Sequence, residues 1–163
     1  MEHKVIKKQT VAQHCFVCGI QNKSGLHMNF YEMDDGKLVG TLNGKEIHQS
    51  YPERMHGGII SAALDETIGR VLWTVENMYA VTMELKIKYR KPVPLNEDVL
   101  VIAELGKNTP RMFEATGKII DKNGTVLATG EGTYFKLKQL DEAVQKESDS
   151  EVLIPDDIKS FDY

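Results

Sequence analysis

The sequence has few cysteines, few prolines and no long apolar run, and each shortage excludes something. Cys15 and Cys18 are its only cysteines, too few for a disulfide framework and in keeping with a reducing compartment. A structural zinc usually takes two such pairs, and the second pair is missing. Packed thiols in an N-terminal lid are therefore expected rather than a metal. A redox dithiol is disfavoured as well, because the pair does not sit at a strand-to-helix junction. No stretch approaches the ~18 apolar residues of a membrane span. Met1-Glu2-His3-Lys4 lacks the apolar core of a signal peptide, so a cytoplasmic location with no membrane partner is expected. Positive charge is not in excess either, with 20 Lys and Arg against 24 Asp and Glu. Nucleic acid is thus not expected as a partner on charge alone.

What charge there is lies unevenly. From Gln139 to Tyr163 there are eight acids and two bases, which leaves 18 bases and 16 acids for residues 1–138. A chain of 163 residues is long enough for one domain with its own core. The expected organisation is a domain over 1–138, with 1–24 as an N-terminal lid segment, followed by an acidic tail over 139–163.

Residues 1–24 show no sustained period. Gly25 to Tyr31 alternates Leu26, Met28 and Phe30 with His27, Asn29 and Tyr31, which predicts a strand. Asp34-Asp35-Gly36 is a hairpin turn returning through Lys37 to Leu42. A loop from Asn43-Gly44 to Met55 follows. Ile60, Leu64, Ile68, Val71, Leu72 and Val75 then recur at helical spacing, predicting a helix from Gly58 to about Asn77. Val81 to Arg90, Asp98 to Leu105, Arg111 to Ile120 and Thr125 to Lys138 read as four more strands, the last two joined by an Asn123-Gly124 turn. No helix separates these later strands, which excludes a doubly wound parallel sheet. The expected fold is α+β, a curved antiparallel sheet of about six strands wrapped on one long central helix. Gly117, Gly130 and Gly132 within strands predict bulges or strong curvature.

The most unusual stretch runs from His56-Gly57-Gly58 to Asp65-Glu66. Two glycines at a helix start imply a close backbone approach, and the first N–H groups there are suited to an anion or a charging carbonyl oxygen. Glu66 has Arg70 four positions on, the spacing of an ordinary surface ion pair. Asp65 has no cation on its own helix. Either a neighbouring lysine or subunit satisfies it, or it is held near a ligand.

These residues carry a resemblance. A strand pair, a loop, His-Gly-Gly opening a long helix with an acid nine positions after the histidine, and a later strand ending in Lys-Pro-Val resemble the hotdog-fold acyl-CoA thioesterases. The phenylacetyl-CoA-thioesterase-like (PaaI-like) branch is the nearest, because Cys15-Phe16-Val17-Cys18-Gly19 with Asn22 and Gly25-Leu26 is similar to its N-terminal stretch. The resemblance spans roughly residues 14 to 138. It implies a thioester hydrolase of paired subunits in which Asp65 is general base or nucleophile and Gly57 or Gly58 forms the oxyanion hole. It further implies that His56 orients the thioester and Thr82 assists the attacking water. Some relatives carry an Asn in the loop before the histidine, where this sequence has Ser50.

The chemistry then constrains the assembly. Gly57 and Asp65 are eight residues apart, or ~12 Å along one helix. A base and an oxyanion hole must both reach one carbonyl carbon, so a homodimer with shared sites, and potentially a homotetramer, is expected. Arg90 and Lys91 are the candidate cations for the phosphates of CoA. Hydrolysis needs no metal and no cofactor beyond the acyl-CoA substrate. The alternatives are a hydratase or dehydratase using His56 as base, and a non-catalytic acyl-CoA-binding protein.

Overall fold

Eight strands form one antiparallel sheet in a computed structural model that describes residues 1–163. Along the chain these are β1 (Glu2–Lys8), β2 (Asn29–Met33), β3 (Leu38–Leu42), β4 (Ala80–Tyr89), β5 (Val99–Asn108), β6 (Met112–Ile120), β7 (Val126–Lys136) and β8 (Ser160–Asp162). Helix α1 (Gly57–Arg70) lies between β3 and β4, and α2 (Glu142–Asp149) between β7 and β8. The sheet order is β4-β7-β6-β5-β3-β2-β1-β8. This is the expected sheet on a central helix, with eight strands in place of six. The two additions, β1 and β8, pair with each other through Glu2–Asp162, His3–Phe161 and Lys4–Ser160. Neither carries a clean apolar alternation, so only their partners define them.

Helix α1 has 14 residues, ~21 Å, and passes into a single 3-10 turn over Val71–Thr74, so it stops short of Asn77. The first expected strand also begins later, at Asn29. Leu26 and Met28 donate their N–H groups to the carbonyls of Phe16 and Val17 at 2.9 and 3.0 Å. The alternation there reflects burial under the N-terminal segment rather than sheet pairing.

The helix buries Ile60, Ala63, Leu64, Thr67 and Ile68. Gly117 and Gly130 face each other across β6 and β7, and an added Cβ would stand 2.7 and 2.9 Å from Ile68 atoms. These glycines thus serve close approach of α1 to the sheet. The register shifts fall elsewhere, at Val5/Lys7, Thr82/Glu84, Leu105/Asn108 and Ile119/Ile120.

A second, smaller cluster of Tyr31, Met33, Val39, Ile102 and Ile120 sits apart from the helix core, with Phe161 and Tyr163 packed against it. The acidic C-terminal segment is docked there. Tyr31 and Phe161 meet edge to face at 5.0 Å, and Asp156 accepts hydrogen bonds from Tyr31 OH and Lys8 Nζ, both at 2.6 Å. Strand β4 at the other edge is left open. Val81, Met83 and Tyr89 are 48%, 58% and 55% exposed, although the sequence alternation predicts them on a covered face.

Candidate functional site

The start of α1 leaves few donors free. His56 is the N-cap, and its Nδ1 accepts from the Gly58 N–H at 2.9 Å. The N–H groups of Ile59 and Ile60 go to the His56 carbonyl at 2.9 and 3.0 Å. The Gly57 N–H alone in this turn has no partner within the chain, at the positive end of the helix dipole. The Gly57 carbonyl accepts from Ser61 Oγ and from Tyr89 OH, each at 3.1 Å, and those two hydroxyls lie 2.7 Å apart. A Cβ on Gly57 would sit 3.4 Å from the Tyr89 ring.

Two turns along, Asp65 is half-buried and satisfied by hydroxyls, not by a lysine. Thr82 Oγ1 donates to Asp65 Oδ1 at 2.8 Å and Tyr134 OH donates to the same oxygen at 3.0 Å. Both donors lie on one oxygen, so Oδ2 keeps its lone pairs. The Tyr134 ring fits because two neighbours have no side chain. A Cβ on Gly69 would lie 3.1 Å from it and one on Gly132 2.5 Å. Burial, followed by the negative charge of Asp65, pushes the Tyr134 phenol up, so it remains a donor at any working pH.

Beside Asp65 is a cleft of about 150 Å³ whose wall includes Thr82, Tyr134, Trp73 and Tyr79. Trp73 and Tyr79 meet edge to face at 5.2 Å. Glu66 and Arg70 complete the wall, and their pairing differs from the surface ion pair expected. Arg70 is 8% exposed. Its Nε meets Glu66 Oε1 at 2.7 Å, Nη1 donates to the Thr10 carbonyl at 3.0 Å, and the guanidinium stacks over Phe30 and Trp73 at 4.7 and 4.8 Å. Burial works against this charge, but Glu66, Cys18 and Glu151 together outweigh it and raise the Arg70 pKa.

The structure brings Asp65 and Thr82 into contact and keeps Gly57 and His56 together at the far end of α1. It does not bring the other expected residues to Asp65. Ser50 is exposed in a loop, its N–H donating to the Arg54 carbonyl at 3.0 Å. Arg90 lines a separate groove of about 360 Å³ with Lys37, Lys88, Glu104, Lys118 and Glu131, sharing no residue with the Asp65 cleft. Arg90 and Lys91 both donate backbone N–H groups to the Leu127 carbonyl at 2.9 Å. Tyr134 and Tyr89 are the contacts that sequence reasoning missed. The only local signal for Tyr134 is Gly132 two positions before it on the same strand face.

The chain is similar to known proteins over much of this fold. The thioesterase superfamily matches residues 53–128. The mouse (Mus musculus) acyl-coenzyme A thioesterase THEM4 is 33% identical over 78 residues, covering 48% of this chain and 33% of that protein. A solved thioesterase superfamily protein superposes with a TM-score of 0.69 at 26% identity, over 76% of this chain and 60% of that one. A hypothetical thioesterase from Streptococcus pneumoniae TIGR4, solved with coenzyme A, has a TM-score of 0.62 at 21% identity, over 70% and 88% of the two chains. The chain thus spans only about a third of the curated mouse relative's length.

Proposed function

We propose that the chain, whose residues 53–128 match the thioesterase superfamily and whose fold is that of a solved superfamily protein, is a thioester hydrolase that cleaves acyl-CoA to the free acid and CoA. One observation carries the reading. Asp65, which lines the cleft, has Oδ1 fixed by Thr82 and Tyr134 while Oδ2 has no hydrogen-bond partner in the chain. Oδ2 takes a proton from water as that water attacks the thioester carbon and passes it to the departing CoA thiolate. Alternatively Oδ2 attacks the carbon itself, the thiolate leaves, and water then hydrolyses the acyl–Asp65 anhydride to the free acid, its other proton going to the thiolate. The free Gly57 N–H receives the developing oxyanion, since the Gly58 N–H is committed to His56. His56 orients the thioester and Thr82 holds the water beside Asp65.

The ~12 Å between Gly57 and Asp65 on one helix requires that two subunits complete each site. The uncovered β4 edge, with Val81 and Met83 about half exposed, is the surface we assign to that homodimer. The CoA in the pneumococcal neighbour supports CoA as the carrier. Arg90 and Lys91 are assigned to its phosphates, reached across the assembly, and Ser50 to a loop contact with the substrate. The reaction needs no cofactor. No helix is long and apolar enough to cross a membrane, and we assign the enzyme to the cytoplasm.

The hydratase reading is less well supported. His56 Nδ1 already accepts a hydrogen bond, which leaves its neutral form without a second free lone pair for a base. Thiol release from a panel of short, aryl and long acyl-CoA esters, with sedimentation of the active species, tests the proposal. Binding without turnover, water addition to an enoyl-CoA, or an active strict monomer would each overturn it.

A further inference from the structure

Outside the Asp65 site, the most closely assembled reactive groups are the two thiols. Residues 15–19 form one turn, closed by the Gly19 N–H on the Cys15 carbonyl at 2.8 Å. Any side chain at Gly19 would put a Cβ 2.3 Å from that carbonyl oxygen. The turn brings Cys15 Sγ, Cys18 Sγ and a Glu66 carboxylate oxygen within 4.8 Å of one another.

Three such donors suggest a metal, and the chemistry of the cluster argues against one. Arg70 Nη2 is 3.3 Å from Cys18 Sγ and Arg70 Nε is 2.7 Å from Glu66 Oε1. A guanidinium that cannot lose its proton already occupies the cation's place. A divalent ion would have to displace it from its contacts with Thr10, Phe30 and Trp73.

Although the pair's place away from any strand-to-helix junction disfavours redox chemistry in the sequence, the turn sets both sulfurs together beside Glu66 and Arg70. We propose that Cys15 and Cys18 are a reversible dithiol–disulfide couple docked on the side of α1, with Cys15 the attacking thiol. Residues three apart in one turn have Cα atoms about 5–6 Å apart, inside the range a disulfide accepts. Cys15 is partly exposed, whereas Cys18 is buried. The neighbouring Cys18 thiol, with support from the Val17 N–H at 3.3 Å, lowers the Cys15 pKa to about 7. The proximity of Cys15 and burial push Cys18 up. That asymmetry gives a thiolate to react and a thiol to resolve.

The oxidant is a hydroperoxide. Cys15 thiolate attacks its O–O bond, forming a sulfenic acid and releasing an alkoxide or hydroxide. Cys18 then attacks the Cys15 sulfur, the S–S bond forms and water leaves. Two electrons pass from the thiol pair to the peroxide. Glu66 and Arg70 also line the Asp65 cleft, so the couple touches the wall of the proposed site without depending on its chemistry.

The test is intact mass and peptide mapping of the reduced full chain after a small excess of hydrogen peroxide. The expected product has lost two hydrogens, carries the bond within one peptide, stays monomeric chains on a non-reducing gel, and returns with dithiothreitol. In Cys18→Ala, dimedone should label Cys15, whereas the wild type should resist it. Oxygen addition at Cys15 without loss of hydrogens, an intermolecular disulfide, unreacted thiols, or bound zinc lost in Cys15→Ser would each overturn the proposal. If Cys18→Ala does not fold, the wild-type mass and its resistance to dimedone still decide.

Discussion

The Tyr134 hydroxyl lies 3.0 Å from Asp65 Oδ1 and 3.1 Å from the same residue's carbonyl oxygen. The bond holds Oδ1 and leaves Oδ2 without a hydrogen-bond partner in the chain. It also ties the carboxylate of α1 to β7, two elements that touch here only because Gly69 and Gly132 leave room for the ring.

Removing either end should separate chemistry from folding. Asp65→Asn should lower kcat by ~100-fold or more, as expected for loss of general acid–base help. Tyr134→Phe keeps the ring and its stacking on Phe113 at 4.9 Å, but loses a hydrogen bond to a charged group, normally ~1.5–3 kcal/mol. Steady-state thiol release should fall about tenfold or more, with a much smaller shift in denaturation midpoint. Thr82→Ser should retain most activity that Thr82→Val loses.

Gly117 should be intolerant for steric reasons. An added methyl would sit 2.7 Å from Ile68 Cγ1 and 3.3 Å from the Ile102 carbonyl oxygen. Gly117→Ala should destabilise by ~1–3 kcal/mol through overpacking. Urea denaturation should show the Gly117→Ala/Ile68→Ala double variant losing less than the sum of the two single losses, because Ile68→Ala removes the clashing Cγ1.

Arg70 should behave as a buried structural cation. Arg70→Ala strands Glu66 and the Thr10 carbonyl and empties the space between Phe30 and Trp73. A cost of ~3–5 kcal/mol is expected from removing one partner of a buried pair. Arg70→Lys should restore little of it, because an ammonium cannot make the forked contacts. Thermal melting of the two variants checks both.

The C-terminal segment should release in acid. Burial works against ionisation of Asp156, but its hydrogen bonds from Lys8 and Tyr31 outweigh burial and lower its pKa. A carboxyl with a depressed folded value adds stability that is full above its unfolded pKa, ~3.9, and is lost as pH falls through the folded value. Amide exchange of β8 should therefore rise below about pH 4 ahead of exchange in β5 to β7. Asp156→Asn should show faster β8 exchange already at neutral pH.

The Leu85–Ile87 and Phe113–Ala115 alternations, the Asn123-Gly124 turn and the Ile60-Leu64-Ile68 spacing determined the central strands and α1. These signals are local, since period and turn chemistry reflect which face is covered. The same locality explains the excess reading at Gly25 to Met28, where burial under another segment imitates a strand. His56-Gly57-Gly58 and Asp65 were legible because each is rare in a helix. Only the tertiary structure decided that Tyr134 reaches Asp65, since β7 lies 69 positions away in sequence. It also decided that His56 takes the Gly58 N–H and leaves that of Gly57 free. The burial of Arg70 and the meeting of β1 with β8 were tertiary outcomes too. Apart from the His56 cap, which is a rotamer choice between near neighbours, each of these depends on a partner from a distant segment, and a single-sequence pattern carries no term for that.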